Sequence, residues 1–267
     1  SQGFRGLMFV QVLATEFTKL HRAKATWATL AVLAMMPLGI ALFMWIVREP
    51  GRAAQLGLVG TKASLAGLEA TWPEYFYMLT LVFGIGGMLL LAFIVAYLFG
   101  REYGDATAKN MLALPVARHW FAVAKLAVAA VWWMALIVLV LAEAMAIGFA
   151  MGLPGFSSEL AATGLANVLL AASISFLLAP VVAWIAVLSR GEVAPIAFSL
   201  VMLALGNLFG RTGWAEWFPY SIVPLLIGMV ADPVDTLTAG SYVVLAGTFT
   251  AGTIATILQL RFADNAQ

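Results

Sequence analysis

Apolar residues in this chain come in long runs, and short stretches between them hold almost all the charge. A helix that crosses a bilayer needs about 20 mainly apolar residues. Six runs meet or approach that length: 27–47, 75–99, 121–151, 160–188, 193–209 and 242–260. The third and fourth exceed the minimum, so they are expected to tilt or protrude. Pro180 and Pro195 flank a short polar loop, Ser189, Arg190, Gly191 and Glu192. They kink or start helices there, because Pro cannot donate to the helical ladder.

Two further segments fit neither loop nor span. Val10, Leu13, Phe17 and Leu20 fall on one face of a helix, and Gln11, Thr15, Thr18 and Arg22 on the opposite face. This predicts an amphipathic helix on the inner membrane surface, against the plainer reading of a cytoplasmic extension of the first span. Residues 220–230 are apolar but short, broken by Pro224 and bracketed by Pro219 and Pro233. An apolar run of that length reads as re-entrant or interfacial.

Composition removes the soluble classes. The chain of 267 residues is 63% hydrophobic and 10% charged, with a mean hydropathy of +1.00. A soluble domain carries about 25% charge. The length would allow one or two soluble domains, but no polar stretch is long enough to build one. The expected fold class is therefore an all-α integral membrane protein of six transmembrane helices. It forms one domain over 1–267: an amphipathic N-terminal helix over 1–26, a six-helix bundle over 27–260 and a tail over 261–267. No cleavable signal peptide is evident, since an amphipathic stretch without a small-residue cleavage site precedes the first run.

A net charge of +1 gives no argument for nucleic acid. The distribution of that charge is more telling. With the N-terminus in the cytoplasm, ten of the fourteen Lys and Arg fall on inner segments: Arg5, Lys19, Arg22, Lys24, Arg101, Lys109, Arg118, Lys125, Arg190 and Arg261. Arg48, Arg52, Lys62 and Arg211 fall outside. The positive-inside rule thus places both termini in the cytoplasm. Trp45, Trp72, Tyr75, Trp214, Trp217 and Tyr220 are expected to form an outer aromatic belt.

Familiar catalytic chemistry is missing. No G-x-x-x-x-G-K-[ST] loop is present, so the chain has no phosphate cradle of its own. Gly84, Gly86 and Gly87 lie inside an apolar helix and read as packing or flexibility. His21 and His119 are isolated and Cys is absent, which makes a metal site improbable. Ser173 and Ser175 lie in an apolar helix, where hydroxyls bond to backbone carbonyls. Gly247, Ala251 and Ala255 form a row of small residues that allows close helix approach, within the chain or to a second subunit. Glu143 is the one ionisable residue deep within an expected span, among Leu139, Val140, Ala146 and Ile147. It either faces a translocation pathway or is protonated and bonded to a neighbouring helix, through Ser173 or Asn167.

Residues 100–125 form a polar island between two apolar runs. Charges left in hydrocarbon cost several kcal/mol each, so the island lies outside the bilayer. Asp105 can cap a helix that begins at Ala106, and Pro115 ends it, because residues before Pro avoid helical geometry. The result is a short helix over 106–114 with an apolar knob of Met111, Leu112 and Leu114. Such a knob suits docking in a groove of a partner better than it suits a solvated loop.

The island resembles the first cytoplasmic loop of ABC-2 type transporter permeases. The residues that carry the resemblance are Arg101, Glu102, Thr107, Lys109, Met111, Leu112, Leu114, Pro115, Val116 and Arg118, with Lys125 further on. Ala106 stands where many relatives have Gly. The topology is similar too: a surface helix, six spans, a coupling helix in the first inner loop and a non-spanning outer segment before the last span. The resemblance implies a membrane-spanning subunit of an ATP-driven exporter in the bacterial cytoplasmic membrane, near bacteriocin and antibiotic-peptide exporters and immunity permeases, with a hydrophobic or amphipathic substrate (antibiotic, peptide or lipid-like). It implies a second permease copy and a cytoplasmic ATPase partner that holds ATP and Mg, with no cofactor and no enzyme activity in this chain. The coupling residues would be Arg101, Glu102, Asp105, Thr107, Lys109, Met111, Leu112, Leu114, Pro115 and Arg118. Open alternatives are a secondary transporter, a membrane sensor or scaffold, and an embedded hydrolase.

Overall fold

A computed structural model describes residues 2–49, 51, 55, 69–104, 118–229 and 237–262. No strand occurs among them. The helices are α1 (Gln2–Arg22), α2 (Lys24–Val47), α3 (Trp72–Gly104), α4 (Arg118–Ala150), α5 (Ser158–Phe176), α6 (Ala179–Ser189), α7 (Val193–Phe209), α8 (Ile222–Leu226) and α9 (Ala239–Phe262). A 3₁₀ turn, Pro219–Ser221, leads into α8.

Five helical stretches are long and apolar enough to cross a membrane: α2, α3, α4, the α5–α6 pair and α9. α7 is a shorter apolar helix of 17 residues. Each of the six expected runs thus has its helix. α3 and α4 each hold 33 residues, about 50 Å at the helical rise. A hydrocarbon core is about 30 Å thick, so both helices extend well past it. Residues 105–117 connect α3 to α4 in sequence.

The fourth run is two helices. It begins with Ser157, whose Oγ accepts from the Leu160 amide at 3.1 Å. It breaks at Leu177 and Leu178, whose amides bond three residues back, to Ile174 and Ser175. Pro180 has no N–H to offer the carbonyl of Phe176, so the α pattern cannot run through. α6 ends at Arg190, which takes a left-handed φ of 54°.

Packing is tightest where small residues let backbones meet. α9 lies against α6, and α3 against α5. A Cβ at Gly252 of α9 would come within 2.7 Å of the Val181 amide nitrogen. A Cβ at Gly206 of α7 would strike the Tyr220 carbonyl oxygen. Gly252, rather than the row Gly247, Ala251 and Ala255, therefore seats α9 inside the chain. Gly247 and Ala251 face outward, and a Cβ at Gly247 would meet nothing. Gly84, Gly86 and Gly87 serve packing: each would touch a side chain of Ile227, Met36 or Trp133 respectively.

The expected aromatic belt is corrected in half its members. Trp45, Trp214 and Trp217 are exposed, as a belt requires. Trp72, Tyr75 and Tyr220 are buried. Trp72 sits against Gly148 and makes edge contacts with Tyr75, Phe149 and Phe156. Ring area buried this way stabilises the bundle more than it would at a surface. The segment after Pro219 folds back as expected, with Ile222, Val223 and Leu225 in a second apolar cluster.

Candidate functional site

The amphipathic N-terminal segment is helical, but its buried stripe differs from its apolar stripe. Leu20 is buried and Leu13 half-buried, while Val10 and Phe17 remain exposed. The stripe turned inward is Leu13, Glu16 and Leu20, rotated toward Glu16 by roughly 45° at the helical 100° per residue. Val10 and Phe17 are left free on the adjoining side, where a surface helix presents apolar residues to lipid.

Glu16 turns inward because it has partners there. Its Oε2 accepts from Lys125 Nζ at 2.9 Å and its Oε1 from Lys19 Nζ at 2.9 Å. Glu102 Oε1 lies 3.0 Å from Lys19 Nζ and 3.1 Å from Lys125 Nζ. Lys125 also donates to the Leu98 carbonyl at 2.7 Å. Among the described residues, two carboxylates and two ammoniums thus alternate in one cluster. The Glu16 and Lys125 side chains are 2% and 4% exposed, Glu102 10% and Lys19 45%. Burial alone would push the Glu16 carboxyl up, but the Lys125 and Lys19 ammoniums outweigh it and hold it below the ordinary 4.5. Burial would likewise lower Lys19, and its two carboxylates instead raise it above 10.5.

The location of this cluster gives it meaning. Glu102 is in the last turn of α3 and Lys125 near the start of α4. The cluster therefore ties both stems of the loop 105–117 to α1. Arg118 extends the tie to the far end of the chain. Its guanidinium donates to the carbonyls of Leu260 and Arg261 at 3.1 and 2.9 Å, capping the C-terminus of α9. Arg101 donates to Tyr97 Oη at 2.7 Å. Gly100 packs so closely on the Gly191 carbonyl that the 189–192 loop joins the same platform. Five separated segments are thereby fixed at one end of the bundle.

Of the residues expected to couple, Arg101, Glu102 and Arg118 belong to this platform. Asp105, Thr107, Lys109, Met111, Leu112, Leu114 and Pro115 lie outside the described residues, as does the expected helix over 106–114. Glu16, the innermost member, is absent from the expected set. Its signal was a carboxylate three residues after Leu13 and four before Leu20, with Lys19 one turn on. A charge on an apolar stripe asks for a buried partner.

Glu143 stands apart, toward the other end of α4. Its Oε2 is buried with no hydrogen-bond partner among the described residues. Ser173 does not serve it, because that hydroxyl donates to the Leu169 carbonyl at 2.7 Å. Ser175 likewise bonds its own helix at Ala171. The described residues hold no cluster of His, Asp or Glu suited to a metal ion.

A bundle of apolar helices of membrane length, with a charge-locked platform at one end, defines a polytopic membrane protein. Residues 12–206 match the family described as ABC-2 family transporter protein, and the chain belongs to that family. It is similar to the bacitracin transport permease protein BCRB of Bacillus licheniformis, 26% identical over 178 residues. That match covers 67% of this chain and 85% of the relative.

Proposed function

We propose that this chain is the membrane-spanning subunit of an ATP-driven exporter, and that loop 105–117 is where a separate cytoplasmic ABC ATPase pushes on it. The observation that carries this reading is the four-charge cluster. A force applied to a loop moves helices only if its stems are rigid, and here Glu102 and Lys125 bind both stems to α1. Arg118 binds the second stem to α9 as well. ATP and Mg reside on the partner, and ATP closure of two such partners around two permease copies switches the spans between states. Both termini face the cytoplasm in this reading, and the membrane is a bacterial cytoplasmic one.

The cargo is a hydrophobic or amphipathic compound, of which a peptide antibiotic is the leading class. The similarity to a permease named for bacitracin supports it. Glu143 is the candidate contact on the pathway, since an unpaired intramembrane carboxylate is expensive unless used. Co-purification of the chain from its native membrane tests the reading. A stoichiometric ABC ATPase, stimulated by a peptide antibiotic, supports it. A chain that purifies alone, with no ATPase at any stage, overturns it.

A further inference from the structure

Between α3, the α5–α6 break and α7 lies a cavity lined by Met88, Ala92, Ser175, Leu178, Ser199 and Tyr220, among others. About 20 Å³ of it is open to the centre of a water-sized sphere. One water needs roughly 10–15 Å³ on that measure, so the space fits a single small molecule and no substrate. Three hydroxyl-bearing residues border it. Ser175 spends its proton on the Ala171 carbonyl at 2.8 Å, and Ser199 spends its own on the Pro195 carbonyl at 2.8 Å. Each keeps oxygen lone pairs free to accept. Tyr220 is 6% exposed, and its hydroxyl has no partner among the described residues.

From this inventory we infer that the cavity is a binding site for one ordered water molecule. The occupant must accept one hydrogen bond, from Tyr220 Oη, and donate two, to Ser175 Oγ and Ser199 Oγ. It must be neutral, because no charged side chain lines the cavity. An anion would find one donor, and a cation would find no counter-charge. Water meets every condition, and its three bonds are the number buried waters ordinarily make. The bound water links three elements that the backbone joins only loosely. Ser175 sits just before the break at Leu177 and Leu178, Ser199 is on α7, and Tyr220 opens the short segment leading into α8. The water thus pins the non-spanning segment onto the broken helix at mid-bundle. This inference stands independently of the transport reading.

The test is radiolytic hydroxyl labelling of the full chain in lipid nanodiscs, in isotopically heavy water. Met88 and Tyr220 are read as cavity residues, and Met44, buried in the main apolar core, as the dry control. The wild type should take label at Met88 and Tyr220 and not at Met44. Tyr220→Phe keeps the ring packing and removes the donor, and label at Met88 should fall about fivefold, the effect of losing one ordinary hydrogen bond. A Ser175→Ala, Ser199→Ala chain loses two of the water's bonds and should show a larger fall, about 25-fold, at both Met88 and Tyr220, which serves if Tyr220→Phe fails to fold. Absence of label at Met88 in the wild type, or label unchanged in the folded variants, would overturn the inference.

Discussion

Replacing Lys125 with Met tests the load carried by the charge cluster. The substitution keeps most of the side-chain volume and removes three contacts: Glu16 at 2.9 Å, Glu102 at 3.1 Å and the Leu98 carbonyl at 2.7 Å. Breaking a buried ion pair by removing one partner costs about 3–5 kcal/mol, because the other charge is left uncompensated. Lys19 still serves both carboxylates, so the lower end, about 3 kcal/mol, is expected here. Glu16→Gln leaves two ammoniums on one carboxylate, but Lys19 is half exposed and regains water, so about 2 kcal/mol is expected. The double variant leaves Lys19 and Glu102 as a one-to-one pair at 3.0 Å. Its cost should be well below the sum of the singles, with a coupling of about 2 kcal/mol. Unfolding in mixed micelles, followed by a cross-link between α1 and α4, measures this. The pH profile adds a sign. The lowered Glu16 carboxyl contributes stability that is present above 4.5 and lost as pH falls through its folded value. The raised Lys19 contributes stability that is present below 10.5 and lost as pH rises through its folded value. α1 docking should therefore be level across the neutral range. Additive singles, each under about 1 kcal/mol, would refute the reasoning, since that is what a solvated surface pair gives.

Leu112→Asp should lower ATPase association and transport without affecting membrane insertion, because a charge placed in a docking groove costs several kcal/mol; full transport with unchanged association would contradict the docking reading. Cys introduced at Lys62 and Asp235 should react with an impermeant thiol reagent from outside sealed cells, and Cys at Lys109 should not; labelling at 109 would reverse the orientation. Gly252→Val should destabilise the chain by about 2–4 kcal/mol, by forcing α9 off the Pro180–Val181 backbone. Melting in detergent reads that loss, and an unchanged midpoint would mean that α9 packs elsewhere. Glu143→Gln should lower transport or shift its pH dependence while leaving stability intact; normal transport at every pH would make Glu143 a structural residue.

Much of this architecture could be read from hydropathy alone, because a bilayer admits few solutions. Backbone groups in hydrocarbon must pair within the segment, so each long apolar run had to become a helix. The break in the fourth run was foreshadowed by Pro180, and the non-spanning segment by its shortness and its prolines. The aromatic belt was legible only in part. Trp72 and Trp45 carry the same ring, and what separates them is Gly148, far away in sequence, which opens a slot for one of them. The candidate site divides the same way. The loop motif pointed to Arg101, Glu102 and Arg118 through local pattern. Glu16 joins them across 86 positions of chain, through a lysine on a third helix. No spacing rule within one helix registers such a contact.

The platform also bears on the orientation expected from the charge distribution. Lys19 and Lys125 count among the cations that argue for an inner face, yet both are neutralised by carboxylates in the folded chain. Setting them aside leaves the bias with its sign unchanged, since the remaining Lys and Arg still favour that end. Neutralised charges still resist hydrocarbon, because separating either pair there would expose two uncompensated ions. The cluster therefore does two things at once. It anchors α1 against the bundle, and it holds the adjoining ends of α3 and α4 together. In the proposed reading, rigid stems are what would let a partner's push on residues 105–117 reach the helices. A pair of flexible stems would absorb the same push in bending.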